Sequence, residues 1–156
     1  MPTGNIFSKM SLTPKQLRTV ADRRFGDALA LRDTHKNERA NGAMYLGGFV
    51  IECLLKAKLL QEYPWLQNCS HPQGRSSRDQ KIWSLCYRKH DLEEVLIHLP
   101  RLSKSLAKTN DPRLLQNLTG ICAKWTIFAR YSPQSAMMAE ATVFLDRIKE
   151  LKSCLT

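Results

Sequence analysis

GGFVIECLLKA, residues 47–57, carries one carboxylate, Glu52, inside an otherwise apolar run. From Ala43 to Leu60 the only charges are Glu52, Lys56 and Lys58. A helix that is apolar nearly all round belongs in the middle of a bundle. A charge placed there costs several kcal/mol unless a partner satisfies it. Either Glu52 is paired within the fold, or it faces a pocket or an interface.

The residues around this stretch read as further helices. Thr13-Pro14, Asp111-Pro112 and Ser132-Pro133 each put an N-cap residue before a proline at the first helical position. Asp91-Leu92-Glu93-Glu94 is a capping-box-like start. Leu17, Val20, Ala21, Ala28 and Leu31 mark a first helix at about 14–34, and the second runs about 37–62. Leu92, Val95, Leu96, Leu99, Leu102 and Leu106 mark a third at about 91–107, which Pro100 should kink or split. Leu114, Leu115, Leu118, Ile121, Cys122 and Trp125 mark a fourth. Met137, Ala141, Phe144, Ile148, Leu151 and Leu155 give the stripe of a fifth. No convincing period-two segment interrupts them. The expected class is all-α, an antiparallel up-and-down bundle of four to five helices in one domain over residues 1–156.

One connection, at about 63–90, is long for such a bundle and is basic through Arg75, Arg78, Lys81, Arg88 and Lys89. Trp83 and Tyr87 are interleaved with those charges and could stack on bases. Alternatively Ile82, Trp83 and Leu85 form a short helix folded back onto the core.

Composition sets the outer limits. The chain has 156 residues, 43% of them hydrophobic and 24% charged, as in a globular domain. Twenty-four Lys and Arg against fourteen Asp and Glu give a formal net charge of +10, which favours polyanionic partners such as RNA, DNA or nucleotides. The longest chargeless apolar run, Ala43 to Ile51, is too short to span a bilayer. MPTGNIFSKM carries no secretory apolar region, so a cytoplasmic protein is expected, with no membrane partner. Cys53, Cys69, Cys86, Cys122 and Cys154 are an odd count without a CxxC, and read as reduced thiols. Cys69, His71, Cys86 and His90 have no usual zinc spacing, so no metal or other cofactor is expected.

YLGGFVIECLLKAKL at 45–59, HDL at 90–92 and RYSP at 130–133, in this order on a helical frame, resemble the HEPN (higher eukaryotes and prokaryotes nucleotide-binding) domain family. The resemblance covers about residues 15–152. It implies a four- or five-helix bundle, frequent homodimerisation, and toxin–antitoxin or defence settings. It further implies either metal-independent endoribonuclease activity, partnership with a minimal nucleotidyltransferase, or nucleotide binding. Ribonuclease members carry an Arg, four to six intervening residues, and then a His. None of His35, His71, His90 and His98 has an Arg five to seven positions upstream. The chain thus resembles the branch without that motif. What carries over is Glu52 and Lys56 of the second helix, His90 and Asp91 before the third, and Arg130 and Tyr131 ending the fourth, as ligand-binding positions.

Two roles stay open for each group. Glu52 and Lys56 are four apart in the favourable orientation, but the preferred partner of Glu52 is Arg130, reached across the bundle. Such a pair either fixes the fold or floors a ligand pocket. Asp91 serves as a helix cap, and His90 beside it either packs locally, holds a phosphate or acts as a general base. Gly47-Gly48 permits close helix packing. The function expected is a non-catalytic binding module for RNA, nucleotide or a cognate protein. The alternative is an endoribonuclease with a diverged site of His90, Arg130 and Glu52.

Overall fold

In the computed structural model, residues 12–156 are described, and the stretch MPTGNIFSKM lies outside them. Seven α-helices follow one another among the described residues, with no strand: α1 Pro14–Arg32, α2 Ala40–Glu62, α3 Ser77–Tyr87, α4 Leu92–Ile97, α5 Pro100–Ala107, α6 Arg113–Lys124 and α7 Met138–Leu155. The fold is an all-α bundle.

α2 is its axis. Fourteen of its 23 residues are buried, on every face, because α1, α3, α4 and α7 all pack against it. α1 doubles back along it, with Leu31 beside Gly42 and Arg24 near Cys53. α7 runs in the same direction as α2: Asn37 accepts from the Met138 N–H at its start, and Gly47 faces Leu145 further on. The two glycines of the quoted stretch explain how such contacts fit. A Cβ at Gly47 would stand 2.8 Å from Leu145, and one at Gly48 would stand 2.0 Å from the Trp125 indole. Close packing thus accounts for both.

Helix starts follow their capping chemistry. The Thr13 hydroxyl accepts from Gln16 N and the Gln16 side chain accepts from Thr13 N, a reciprocal box ahead of Pro14. The Asp91 carboxylate accepts from Glu94 N at 3.1 Å. The expected third helix is split at Pro100 into α4 and α5, since proline has no N–H to continue the ladder.

Three boundaries differ from the sequence reading. Ser132-Pro133 starts no helix: α7 begins at Met138, and the chain before it is a strap across the bundle. Arg130 and Tyr131 do not end the fourth helix but lie in a separate 3-10 turn, Ile127–Tyr131. The cause is Trp125, which leaves helical geometry at ψ 131° so that its indole seats on Gly48 and donates to Tyr45 O at 3.2 Å. Met137 is 56% exposed, and Met138 takes its place in the buried stripe.

Most of the long connection is folded. Leu66 is fully buried, and α3 buries Ile82, Trp83, Leu85 and Cys86. Trp83 donates to Cys69 O and the Tyr87 hydroxyl donates to Leu66 O, so both aromatic heads are spent inside the fold instead of standing ready for bases.

Candidate functional site

Glu52 sits in the centre of α2 with 2% of its side chain exposed. Its Oε1 takes two bonds: from Lys56 Nζ at 2.7 Å, one helical turn on, and from His90 Nδ1 at 2.7 Å. Its buried Oε2 has no partner among the described residues. Lys56 is nearly as buried, and its ammonium also donates to the Lys89 carbonyl at 2.8 Å. Two bonds from α2 thus hold the 88–91 loop, one to its backbone and one to the His90 ring.

This arrangement fixes the imidazole. With Nδ1–H directed at a carboxylate, Nε2 is the remaining ring nitrogen, able to accept when neutral and to donate when protonated. Nε2 has no partner among the described residues, and 44% of the side chain is exposed. Lys56 compensates the Glu52 charge, so the pair adds no net charge beneath the ring. Asp91, next in sequence, spends a carboxylate oxygen on capping α4.

The five cations of the basic segment are all exposed but not equally available. Arg75 pairs with Asp79 at 3.5 Å and lies over the Trp65 ring at 3.9 Å. Lys81 pairs with Glu94 at 2.8 Å, and this contact holds the Glu94 carboxyl below its ordinary range. Arg78, Arg88 and Lys89 form no ion pair among the described residues, and Arg88 lies over Trp83 at 5.0 Å. Two of the three therefore directly precede His90.

Arg130 is elsewhere. The preferred Glu52–Arg130 pair is not formed: Lys56 and His90 occupy the carboxylate. Arg130 donates its Nε–H to Ile127 O, and its guanidinium lies over the ring of Tyr45, at 5.7 Å, and over that of Tyr131, at 5.2 Å. Tyr45 precedes Glu52 by seven residues, about 10 Å along a helix axis. The displacement follows from the Trp125 break, which carries the RYSP segment toward the N-terminal half of α2. Tyr131 is 72% exposed. The sequence-derived set therefore divides into Glu52, Lys56, His90 and Asp91 in one place, and Arg130 and Tyr131 in another.

Two features escaped the sequence. The hold of Lys56 on the Lys89 carbonyl has no side-chain signature. The grouping of Tyr45 with Trp125, stacked at 5.7 Å, was visible only as a register: Tyr45, Gly48 and Glu52 share one face of α2. Among the described residues no group of three or more His, Cys, Asp and Glu side chains is placed to hold a metal ion, and no helix is long and apolar enough to cross a membrane. Neither a family model nor a curated protein nor a solved structure matches the chain.

Proposed function

We propose that the chain is a HEPN-like, non-catalytic binding module that takes a phosphate of RNA or of a nucleotide on the 88–91 loop. The observation that supports this most is the His90 ring, anchored through Nδ1 to the buried Glu52 while Nε2 stays without a partner, directly after Arg88 and Lys89. Once the ring is protonated, Nε2–H is an oriented donor beside two cations, which suits a phosphate oxygen. The net charge of +10 works in the same direction by raising the local concentration of polyanions. Homodimerisation, a nucleotidyltransferase partner and a toxin–antitoxin or defence setting belong to this reading through the family resemblance, and a cytoplasmic location is part of the same proposal.

The test is fluorescence anisotropy with end-labelled single-stranded RNA and with a labelled nucleotide. Wild type is expected to bind with an affinity that falls steeply with salt, since each phosphate neutralised releases a counterion. Arg88→Glu/Lys89→Glu and His90→Ala are expected to weaken binding and flatten the salt slope. Binding that is absent at low salt, or unchanged in both variants, overturns the reading.

A second reading is an endoribonuclease in which His90 Nε2 removes the 2′-OH proton. The Glu52–His90 bond favours it, because a carboxylate on Nδ1 holds the tautomer and orientation a general base needs. Against it stands Arg130, removed by about two helical turns from the position where it would meet the developing phosphorane charge. RNA cleavage in EDTA by wild type, lost in His90→Ala, would promote this reading.

A further inference from the structure

A cleft of about 960 Å³ opens on the half of the bundle away from His90, between the N-terminal part of α2, α6, the 125–137 strap and α7. That volume lies at the upper end of the range of small-molecule sites. Its apolar lining includes Tyr45, Trp125, Ile121 and Phe144. Tyr45 and Phe144 are only half-buried; the Tyr45 ring is stacked on Trp125 and carries Arg130 over it, so its edge, together with the Phe144 ring, is what a ligand can reach.

The polar groups of the cleft divide into spent and unspent. Asn41 bridges the strap, donating to Gln134 O at 2.6 Å and accepting from Ala136 N at 2.8 Å. Trp125 Nε1 is taken by Tyr45 O, and Glu140 accepts from Met137 N at 2.8 Å. Lys124 and Arg147 are exposed and form no ion pair among the described residues. The inner polar groups thus hold the walls together, while Lys124 and Arg147, in no ion pair among the described residues, outnumber the one lining carboxylate, Glu140.

We propose that this cleft binds a small organic anion with a flat apolar body, of the aryl carboxylate or aryl sulfonate class. The ring lies against Phe144 and the edge of Tyr45, where burial and edge-to-face contact are rewarded. The anionic group is taken by Lys124 and Arg147, the latter able to grip it through two N–H groups. A ligand that needs its edge read by hydrogen bonds fits less well, because the Asn41 amide and the Trp125 indole N–H are already committed. This site is separate from the 88–91 loop and does not depend on phosphate binding there.

Gly120 offers a clean test. It lines the cleft, and a Cβ added to it would meet nothing within 4 Å. A Cβ at this position therefore displaces nothing, the ring of Gly120→Phe is expected to occupy the cleft, and replacing a helix-interior glycine favours the helix. The probe is 8-anilinonaphthalene-1-sulfonate, followed by fluorescence and by titration calorimetry, on the full chain. Saturable binding at one site per chain is expected for wild type. Gly120→Phe and Lys124→Glu/Arg147→Glu are each expected to lose about tenfold or more in affinity. Their far-ultraviolet circular dichroism and melting are expected to match wild type or to improve. Non-saturable probe binding, or affinity unchanged in either variant, overturns the proposal. A dimer in wild type that Gly120→Phe converts to a monomer in light scattering also overturns it, and gives the cleft to a second copy.

Discussion

Replacing Glu52 with alanine should strand a buried cation. Lys56 would keep only the Lys89 carbonyl as a partner, at a position where its side chain is 9% exposed. Breaking a buried pair by removing one member costs about 3–5 kcal/mol. The His90 bond adds little, since that ring is 44% exposed and water can replace the contact. For a domain of this size, each kcal/mol shifts the melting temperature by about 2–4 °C, so a loss of about 6–20 °C is expected. Glu52→Leu/Lys56→Met is the informative companion. It removes both charges and the unpartnered Oε2 together, and apolar replacements of similar volume are often neutral or stabilising. The double variant should recover most of the stability while releasing the 88–91 loop. The assay is urea denaturation followed by circular dichroism, with the midpoint and slope measured for all three proteins. A loss below about 1 kcal/mol for Glu52→Ala, the range of exposed pairs, would refute the buried-pair reasoning. A double variant as unstable as the single one would refute it equally.

Gly48→Ala puts a Cβ 2.0 Å from an indole fixed by its bond to Tyr45 O, and is expected to cost at least about 1–3 kcal/mol in thermal melts. Gly120→Ala meets nothing and should gain up to about 1 kcal/mol, so a reversed order would contradict the packing described. Thiol titration with an aromatic disulfide at pH 8 should modify Cys154 first, Cys69 more slowly, and Cys53, Cys86 and Cys122 only on unfolding. Burial pushes Cys53 and Cys122 up to about 12 and Cys86 to about 11. Their native forms hold the proton more tightly than the unfolded chain does. The stability this contributes is complete below the ordinary thiol value of 9.0 and is lost as pH rises from there toward 12, so alkaline melts should weaken over that window.

The apolar run around Glu52 was enough to place α2 at the centre, because a helix without a polar face has no other location. The thirteenth and ninety-first residues were legible as caps, since capping depends on neighbours in sequence. Ser132-Pro133 shows the limit of the same reasoning. It has the local chemistry of a helix start, but Asn41 holds Gln134 and Ala136 in a non-helical strap through bonds spanning more than ninety residues. Arg130 was misplaced for a related reason. The indole of Trp125 gains more by seating on Gly48 than α6 gains from another turn, and that balance is set by tertiary contact. The partner of Glu52 was half legible: Lys56 at four residues is a local relation, whereas His90 lies 38 residues away. For the basic segment, charge was visible but not its neutralisation by Asp79 and Glu94.

The most direct test of the phosphate reading is the His90 ring itself, observed by 1H–15N NMR of the imidazoles while a short single-stranded RNA is added in EDTA. The Nε2 resonance of His90, assigned by its loss in His90→Ala, is expected to move saturably while the RNA is recovered intact. A His90 ring that does not respond, or RNA that is cut as the resonance moves, would contradict a non-catalytic phosphate site on the 88–91 loop.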